Sequence, residues 1–373
     1  MKVIVACGGT SGHVNPAIAI ANEIKNRHPD AEILFFGTKT NIESKLVPQA
    51  GYDIEFITAN GFTRKKTYKA IKHNIKAINT FISTSRKVRK KIKEFSPDVA
   101  IGTGGFVSAP VLFAASKMKI PTVIHEQNCF AGVATQMLAK RVDKIFLSFP
   151  ISNKLDADEG SQMLVGNPAK QEFFTADREA ARKALGIGEN EKVILSVGGS
   201  LGARKINDAF CRMAERTFEE ERLVLYHGAS KDYGYVLEKL GEKASHKNIH
   251  VYEYIYNMAE IMAAADLIIS RSGAGALTEI AALGRPSVLI PSPNVAENHQ
   301  YFNAKTFSDK GAAILIEEKD LDGDQLYEAV CSLCDDGIKL KQMGESAKGF
   351  ASPQTAKLIC DEIDRMVFEN IDG

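Results

Sequence analysis

The sequence predicts an α/β protein with two Rossmann-like domains, each a doubly wound parallel sheet, that face each other across a cleft. Short apolar runs alternate with helix-length amphipathic segments, which is typical of βαβ units. The alternation restarts at Lys192 after a break at Val165-Gly-Asn-Pro168. The first strand of each half runs into a glycine loop, at residues 8–12 and 198–202. Such loops hold ligands at the carboxyl ends of parallel strands.

Each strand is predicted from one short apolar run. The first half has runs at 3–6, 33–36, 54–57, 99–101, 122–124 and 145–149, and the second at 192–197, 223–226, 249–252, 267–270, 287–290 and 313–316. We expect an N-terminal domain over 1–164 and a C-terminal domain over 165–351. A last helix within 352–373 is expected to return to the first domain.

Composition limits the functional classes. The chain has 373 residues, 45% hydrophobic and 25% charged, with a net charge of +1. This length makes two domains the default, and the charge argues against a general nucleic-acid binder. The apolar N-terminal run is too short for a signal peptide, and the chain lacks the ~18 continuous apolar residues of a membrane span. We therefore expect a cytoplasmic protein.

No metal site is expected. The one C-x-x-C pair, Cys331 and Cys334, has no second pair to complete a zinc site. The aspartates at 320, 322 and 324 resemble half a calcium loop, but Gln325 and Cys331 stand where that loop needs Gly and Glu.

The glycine loops do not match a dinucleotide fingerprint. Cys7 and Val197 occupy the first glycine position of G-x-G-x-x-G. The strands that should end in a ribose-binding acid end instead at Thr38 and Gly228. We therefore expect no nicotinamide or flavin cofactor, and a phosphate-bearing ligand with another sugar contact fits better.

The segment Arg271-Ser-Gly-Ala-Gly-Ala-Leu-Thr-Glu279 follows an apolar strand and opens a helix. Free backbone N–H groups and the positive end of the helix dipole suit a phosphate. Glu279, about two turns into the helix, is placed to reach a sugar hydroxyl. The alternative is an ordinary tight turn with a solvated Glu279.

Three further polar sites follow strands or open helices. His13 comes just after the first glycine loop and suits a general base, with local capping or packing as the alternative. His125-Glu-Gln-Asn128 lies at a strand end where parallel sheets bind ligands. Asn298-His-Gln300-Tyr-Phe-Asn303 opens a helix and could bind sugar hydroxyls, although polar first-turn residues need no ligand.

Residues 61–94 are strongly basic, with twelve Lys and Arg against one acid, Glu94. Interleaved isoleucines at 71, 75, 78 and 82 have helical spacing. Basic charge with an apolar stripe suits an anionic membrane surface. For the isoleucines we prefer the alternative that they face the core, whereas the charge excess favours the membrane.

Seven motifs occur along the chain in one order. They are Gly8-Gly-Thr-Ser-Gly-His13, Gly104-Gly-Phe-Val-Ser-Ala-Pro110, His125-Glu-Gln-Asn128, Gly166-Asn-Pro168, Gly198-Gly-Ser-Leu-Gly-Ala203, Arg271-Ser-Gly273 with Thr278-Glu279, and Gln300-Tyr-Phe-Asn303. Together they resemble the MurG family, peripheral membrane N-acetylglucosaminyltransferases of the two-domain GT-B type. One motif alone is weak, but all seven in order are highly specific.

The resemblance implies inverting transfer of GlcNAc from UDP-GlcNAc to the MurNAc 4-hydroxyl of lipid I, giving lipid II for peptidoglycan and cell-wall synthesis. In the first domain it implies that Thr10, Ser11 and Gly12 lie by the diphosphate and acceptor and that Asn128 lines the sugar site. In the second domain it implies that Ser200 contacts the diphosphate, that the Ile255 backbone binds uracil and that Gln300 binds GlcNAc. Phosphate and ribose are then held by Ala274, Gly275, Ala276, Leu277, Thr278 and Glu279, with Glu279 on the ribose hydroxyls. Lys170 stands where an Arg is usual, so a bidentate phosphate contact becomes a point charge.

The mechanism expected from this resemblance is a single in-line displacement. His13 takes the acceptor proton, with Glu126 as the second candidate base or as the group that orients His13. Glycine-loop N–H groups and helix N-termini stabilise the departing UDP, so no metal is required. Two alternatives stay open: another GT-B enzyme, either a glycolipid synthase or a UDP-GlcNAc 2-epimerase, and a non-catalytic nucleotide-sugar-binding scaffold at the membrane.

The location expected from the resemblance is the cytoplasmic face of the cell membrane. The basic segment 61–94 would hold the protein there as a peripheral protein, where lipid I is the acceptor. Other proteins of cell-wall synthesis are expected as partners.

Overall fold

A computed structural model describes residues 1–61, 67–199, 202–220 and 222–369. The chain forms two compact units, Met1–Ala169 together with the segment from Ser352 onward, and Lys170–Ala351. The first unit extends past residue 164 because the N–H groups of Val165 and Gly166 both donate to the Leu147 carbonyl, at 2.9 and 3.2 Å.

The first unit contains a parallel sheet of seven strands in the order β3-β2-β1-β4-β5-β6-β7. The strands are β1 Lys2–Ala6, β2 Glu32–Gly37, β3 Asp53–Phe56, β4 Val99–Gly102, β5 Thr122–Glu126, β6 Lys144–Leu147 and β7 Gln162–Leu164. The helices are α1 Ser11–Arg27, α2 Glu43–Gln49, α3 Tyr68–Phe95, α4 Gly105–Lys117 and α5 Val133–Leu138, with α15 Thr355–Phe368 from the end of the chain.

The second unit repeats the plan with six parallel strands in the order β10-β9-β8-β11-β12-β13. These are β8 Lys192–Val197, β9 Leu223–Gly228, β10 Ile249–Tyr252, β11 Leu267–Ser270, β12 Ser287–Leu289 and β13 Ala313–Leu315. The helices are α6 Glu172–Thr175, α7 Arg178–Ala184, α8 Arg204–Glu220, α9 Tyr233–Leu240, α10 Met258–Ala264, α11 Ala274–Ala282, α12 His299–Asp309, α13 Gly323–Asp335 and α14 Gly337–Lys348. The two-sheet α/β fold predicted from the sequence is confirmed.

Strand order positions the site. In the first sheet, β1 to β3 are added toward one edge and β4 to β7 toward the other, so the strand order reverses between β1 and β4. These two strands pair side by side, with Ala6 opposite Gly102. In the second sheet β8 and β11 have the same relation, with Val197 opposite Ser270. Ligands of open α/β sheets bind at such switch points, outside the carboxyl ends of the strands.

The last helix packs on the first unit. The Thr355 hydroxyl donates to the Val165 carbonyl at 2.9 Å. Arg27 of α1 donates to Asp361 at 2.6 Å, and Ile359 and Ile363 are fully buried. An amphipathic helix whose apolar face is covered by another element gains its stability from that packing.

Strand β7 was missed by the sequence analysis. Its three residues, Gln162–Leu164, are partly or fully exposed because it is the edge strand of its sheet. Met163 and Leu164 are apolar, but they lie directly before the Gly and Pro of the break at 165–168, where the sequence indicates a domain boundary rather than a strand.

The expectation that the isoleucines of α3 face the core is wrong. Ile71, Ile75, Ile78 and Ile82 are 44 to 56% exposed. The buried face of the helix is formed by other residues, most of them nearer its C-terminal end: Ala77, Thr84, Ser85, Val88 and Ile92. The Ser85 hydroxyl donates to the Pro110 carbonyl of α4 at 3.3 Å. Across the described ranges, no helix combines the length and apolar character needed to cross a bilayer.

Candidate functional site

The switch point of the first unit is built from two glycine loops in close contact. Gly104 and Gly105, after β4, have φ angles of +95° and +72°, which favour glycine. A Cβ on Gly105 would lie 2.2 Å from the Gly8 carbonyl oxygen, in the loop after β1. Only a residue without a side chain lets the two loops approach this closely.

Glu43 holds the first loop in place, a role that the sequence analysis missed. Its carboxylate is fully buried and accepts hydrogen bonds from the Gly9 N–H at 3.1 Å and from the Thr38 N–H at 3.0 Å. Nothing in the local sequence pattern distinguishes this carboxylate from a solvated one on a helix, since its partners lie on other elements.

His13 lies in the first turn of α1 with its ring against both loops. Its Nδ1 lies 3.1 Å from the Gly8 carbonyl oxygen and 3.3 Å from the Thr10 hydroxyl. A carbonyl only accepts hydrogen bonds, so Nδ1 carries the proton and donates it to Gly8. In the neutral ring this leaves Nε2 with a lone pair, the state that a general base requires.

The predicted contacts Thr10, Ser11 and Gly12 surround the start of the same helix. Thr10 is the N-cap residue in an extended conformation, and its side chain makes no capping hydrogen bond. The first N–H groups of an α-helix have no acceptor within the helix. Together with the helix dipole they form a donor-rich site beside His13 that suits an anion or a sugar oxygen.

The motif 125–128 lies at the end of β5, and three of its four side chains are buried. His125 is fully buried, with Nε2 2.9 Å from the Gly166 carbonyl, and burial lowers the pKa of its ring to about 4. Gln127 is 2% exposed and donates to the His125 carbonyl at 2.9 Å. Asn128 is the partly exposed member of the motif.

Glu126 is buried and engaged with its own loop. One carboxylate oxygen accepts from the Asn128 N–H at 3.1 Å, and the other accepts from the Gly132 N–H at 2.9 Å and the Thr135 hydroxyl at 2.6 Å. The carboxylate thereby fixes the turn that presents Asn128.

In the second unit, α11 begins directly after β11, with Gly273 as its N-cap. Within the predicted segment 274–279, the side chain of Leu277 is fully buried and that of Thr278 is 1% exposed, donating to the Ala274 carbonyl at 2.7 Å. These two side chains therefore belong to the core. The segment can still contact a phosphate through its first-turn N–H groups.

Gln300 is placed at the same helix start. Its Oε1 accepts from the Ser292 N–H at 2.9 Å, and its backbone carbonyl accepts from the Ser272 hydroxyl at 2.8 Å. Its Nε2 lies 3.9 Å from the position that a Cβ on Gly273 would occupy. The amide is thus oriented with its N–H donors toward the start of α11, where they suit a ligand oxygen.

Arg271 holds together the loops at this switch point. The sequence analysis assigned it no role of its own. Its guanidinium donates to the Ile290 and Pro291 carbonyls at 3.0 and 3.1 Å and forms an ion pair with Glu318. It therefore ties the ends of β11, β12 and β13 together.

The other predicted contacts are more dispersed. The Ile255 side chain is 5% exposed and packs near Gly228, so any contact with a base uses its backbone. Lys170 is exposed and lies 3.4 Å from Glu172. Ser200 lies outside the described residues.

Glu279 lies on α11 in a partly buried position. Burial raises the pKa of its carboxyl from the usual 4.5 to about 7, and the nearby Glu172 adds to the rise while Lys170 opposes it. A carboxyl that titrates near neutrality can accept hydrogen bonds from sugar hydroxyls when ionised.

Glu279 should make the stability of the ligand-free protein depend on pH. Between about pH 4.5 and 7 the folded protein keeps a proton that the unfolded chain has lost, so stability falls as pH rises through this window. In the wild-type protein the free energy of unfolding should fall by an amount on the order of 3 kcal/mol across this window, and Glu279→Gln should abolish that fall. The measurement is urea unfolding at pH 5 and pH 7.5. The control is Glu345→Gln, since the Glu345 side chain is exposed. If the free energy of unfolding depends on pH in the same way in both variants, Glu279 is not the group responsible.

Comparisons with known proteins agree with this geometry. Sequence models of the glycosyltransferase family 28 N-terminal and C-terminal domains match residues 3–147 and 193–359. A UDP-N-acetylglucosamine--N-acetylmuramyl-(pentapeptide) pyrophosphoryl-undecaprenol N-acetylglucosamine transferase of Acetivibrio thermocellus is 42% identical over 97% of this chain and 97% of its own.

Solved structures give the same result for the fold. Acinetobacter baumannii MurG is 25% identical, with a TM-score of 0.79 over 98% of this chain and 99% of its own. A UDP-GlcNAc 2-epimerase from Neisseria meningitidis, with UDP-GlcNAc bound, has a TM-score of 0.66 at 14% identity over 97% of this chain and 99% of its own. The second likeness is one of fold alone. The family resemblance seen in the motifs is confirmed.

Proposed function

The chain belongs to glycosyltransferase family 28, among the MurG-type enzymes, and from that premise we propose that it transfers GlcNAc from UDP-GlcNAc to lipid I to form lipid II. The observation that carries this proposal is that each unit has a donor-rich helix start at its switch point. The one in the first unit has His13 beside it, with a lone pair on Nε2 in the neutral ring, and the one in the second unit has Glu279 and Gln300. Near-full-length identity of 42% to a transferase supports the reaction.

The second unit binds the donor in this proposal. N–H groups at the start of α11 face the diphosphate, Glu279 accepts from the ribose hydroxyls, and the Gln300 amide N–H group donates to the GlcNAc. Ser200, Lys170 and the Ile255 backbone are the remaining donor contacts proposed from the family. Because helix N-termini are oriented before the reaction, they stabilise the charge that develops on departing UDP without reorganisation.

The first unit binds the acceptor and supplies the base. The 4-hydroxyl of MurNAc gives its proton to His13 Nε2 while its oxygen attacks the anomeric carbon, and the bond to UDP breaks with its electron pair leaving on the phosphate oxygen. Glu126 is the weaker candidate, because its oxygens already accept hydrogen bonds from Asn128, Gly132 and Thr135.

The exposed stripe of α3 is the proposed membrane contact. Its four isoleucines share the helix with Lys69, Lys72 and Lys76, and exposed apolar side chains flanked by cations suit an anionic bilayer surface. Each such cation contributes ~1 kcal/mol near the surface. Arg64, Lys65 and Lys66 of the basic segment lie outside the described residues. The protein then works at the cytoplasmic face of the cell membrane, beside other proteins of cell-wall synthesis.

Removing apolar area from this stripe should weaken membrane binding. Ile75 and Ile78 are 55% and 48% exposed, so Ile75→Gln with Ile78→Gln removes surface available to the lipid without opening the core. Binding to phosphatidylglycerol vesicles, measured by sedimentation, should fall by about tenfold or more. Ile338→Gln is the matched control, since Ile338 is 74% exposed in the second unit. Equal binding by both variants would remove α3 from this role.

The reaction is tested by transfer of radiolabelled GlcNAc from UDP-GlcNAc to a short-chain lipid I analogue. The expected product is an acceptor-dependent, β-linked disaccharide lipid. Conversion of the donor to its 2-epimer without acceptor would instead support the epimerase alternative. Donor binding with neither product would support the scaffold alternative.

A further inference from the structure

A chain of hydrogen bonds fixes the orientation of the Gln127 amide. His125 Nε2 lies 2.9 Å from the Gly166 carbonyl oxygen, which only accepts, so Nε2 carries the ring proton. His125 Nδ1 is then an acceptor, and the Gln127 Nε2 group lies 2.9 Å from it and 2.9 Å from the His125 carbonyl. Both of these neighbours are acceptors, so the amide nitrogen must face them.

The amide oxygen of Gln127 therefore points the other way. This Oε1 atom is buried and has no hydrogen-bond partner within the part of the chain that the structure describes. A buried acceptor left without a donor costs about 1–3 kcal/mol. Such an atom is retained most readily where it has a use in another state of the protein.

The position of this oxygen suggests that use. The place that a Cβ on Gly104 would occupy lies 3.3 Å from Gln127 Oε1, 3.2 Å from His13 Nε2 and 2.8 Å from His13 Cδ2. Gly104 has a φ of +95° and leaves this place empty. The negative end of the amide dipole and the ring edge of His13 that carries Nε2 thus border the same space, the one that Gly104 leaves open.

We propose that Gln127 is a positioning residue for the reaction, whose amide oxygen stabilises the imidazolium formed when His13 Nε2 takes the proton of the acceptor hydroxyl. The inference rests on the proposed function. A dipole oriented before the reaction toward a developing charge favours the charged state without reorganisation. The positive charge appears on the ring in the same step in which the hydroxyl oxygen bonds to the anomeric carbon and UDP leaves with its electron pair.

The test compares Gln127→Met with Gln127→Glu in the full-length enzyme, using the pH profile of kcat/KM. Met keeps the length of the side chain but removes the acceptor, so the acidic limb should move to lower pH by about half a unit and kcat should fall about tenfold. Glu places a carboxylate beside the ring, so the acidic limb should move to higher pH. Cys7, Glu43, His125 and Glu126, ionisable groups on the adjoining elements, keep their identity in both variants, and both variants lose the amide N–H that faces His125 Nδ1, so that loss is common to the comparison.

A merely structural Gln127 would give a different result. Both variants would then lose stability in urea unfolding and lose activity by the same factor at every pH, and that outcome overturns the proposal. If one variant does not fold, the direction of the shift in the other still decides the question. Failure of the proposed function is separate, because it would appear as absence of transfer by the unmodified enzyme.

Discussion

Replacing His13 with Ala should lower kcat by about 10²- to 10⁴-fold, the range lost when a general base is removed. The ring is held by the Gly8 carbonyl through Nδ1, which fixes its orientation and, in the neutral ring, the tautomer with the lone pair on Nε2. The measurement is initial-rate transfer to the lipid I analogue at saturating UDP-GlcNAc. Binding of UDP by calorimetry should be unchanged, because His13 itself makes none of the proposed donor contacts.

Two further measurements interpret a loss of turnover in His13→Ala: one tests whether the fold is disturbed, and the other tests the second candidate base. The His13 ring packs beside Gly104 and Gly105, so urea unfolding of the variant shows whether its loss disturbs the loops. Glu126→Gln is the comparison for the second candidate base, since Gln keeps the shape of the side chain. A His13→Ala enzyme with normal turnover and a Glu126→Gln enzyme with little turnover would reverse the assignment.

Asp266→Asn should destabilise the second unit by about 3–5 kcal/mol, the cost of breaking a buried ion pair from one side. Its carboxylate accepts from Arg178 at 2.8 Å, from Arg182 at 3.3 Å and from the Val193 N–H at 2.8 Å. Arg285 lies nearby, where burial and the charge of Arg178 lower the pKa of its guanidinium to about 10. The substitution removes the carboxylate that these cations share.

Urea unfolding followed by circular dichroism measures this effect. The chain has two units, so the transition of the second unit should move to lower urea while the other stays in place. Asp324→Asn is the matched control: its carboxylate accepts from Arg212 at 2.9 Å but is 46% exposed, and its midpoint should hardly change. Equal shifts for the two variants would show that burial adds nothing to the Asp266 cluster.

The strands and the glycine loops were predictable because their signals are local. Buried parallel strands appear as short apolar runs, and the turn after β1 needs small residues within a few positions. The family followed from the order of motifs along the chain. The role of Glu43 was not predictable, since its partners Gly9 and Thr38 belong to other elements.

Side-chain direction at the site was the least predictable feature. A run of four polar residues at a strand end indicated a ligand site, but the side chains of His125, Glu126 and Gln127 are buried and hydrogen-bonded to neighbouring groups of the protein. The isoleucines of α3 showed the opposite error, because helical spacing is the same whether a stripe faces a core or the outside.

The sequence by itself determined the two-sheet α/β fold, the family, the reaction class and the residues at the carboxyl ends of the strands, because each depends on patterns within one segment or on the order of segments. Only the tertiary structure decided which of those residues are exposed and which are buried, which ring nitrogen of His13 donates to Gly8, and that Gln127 Oε1 borders the same space as the His13 ring. These properties depend on distances between groups far apart in the chain, such as Gly104 and His13 or Gly166 and His125, and no local pattern encodes such distances.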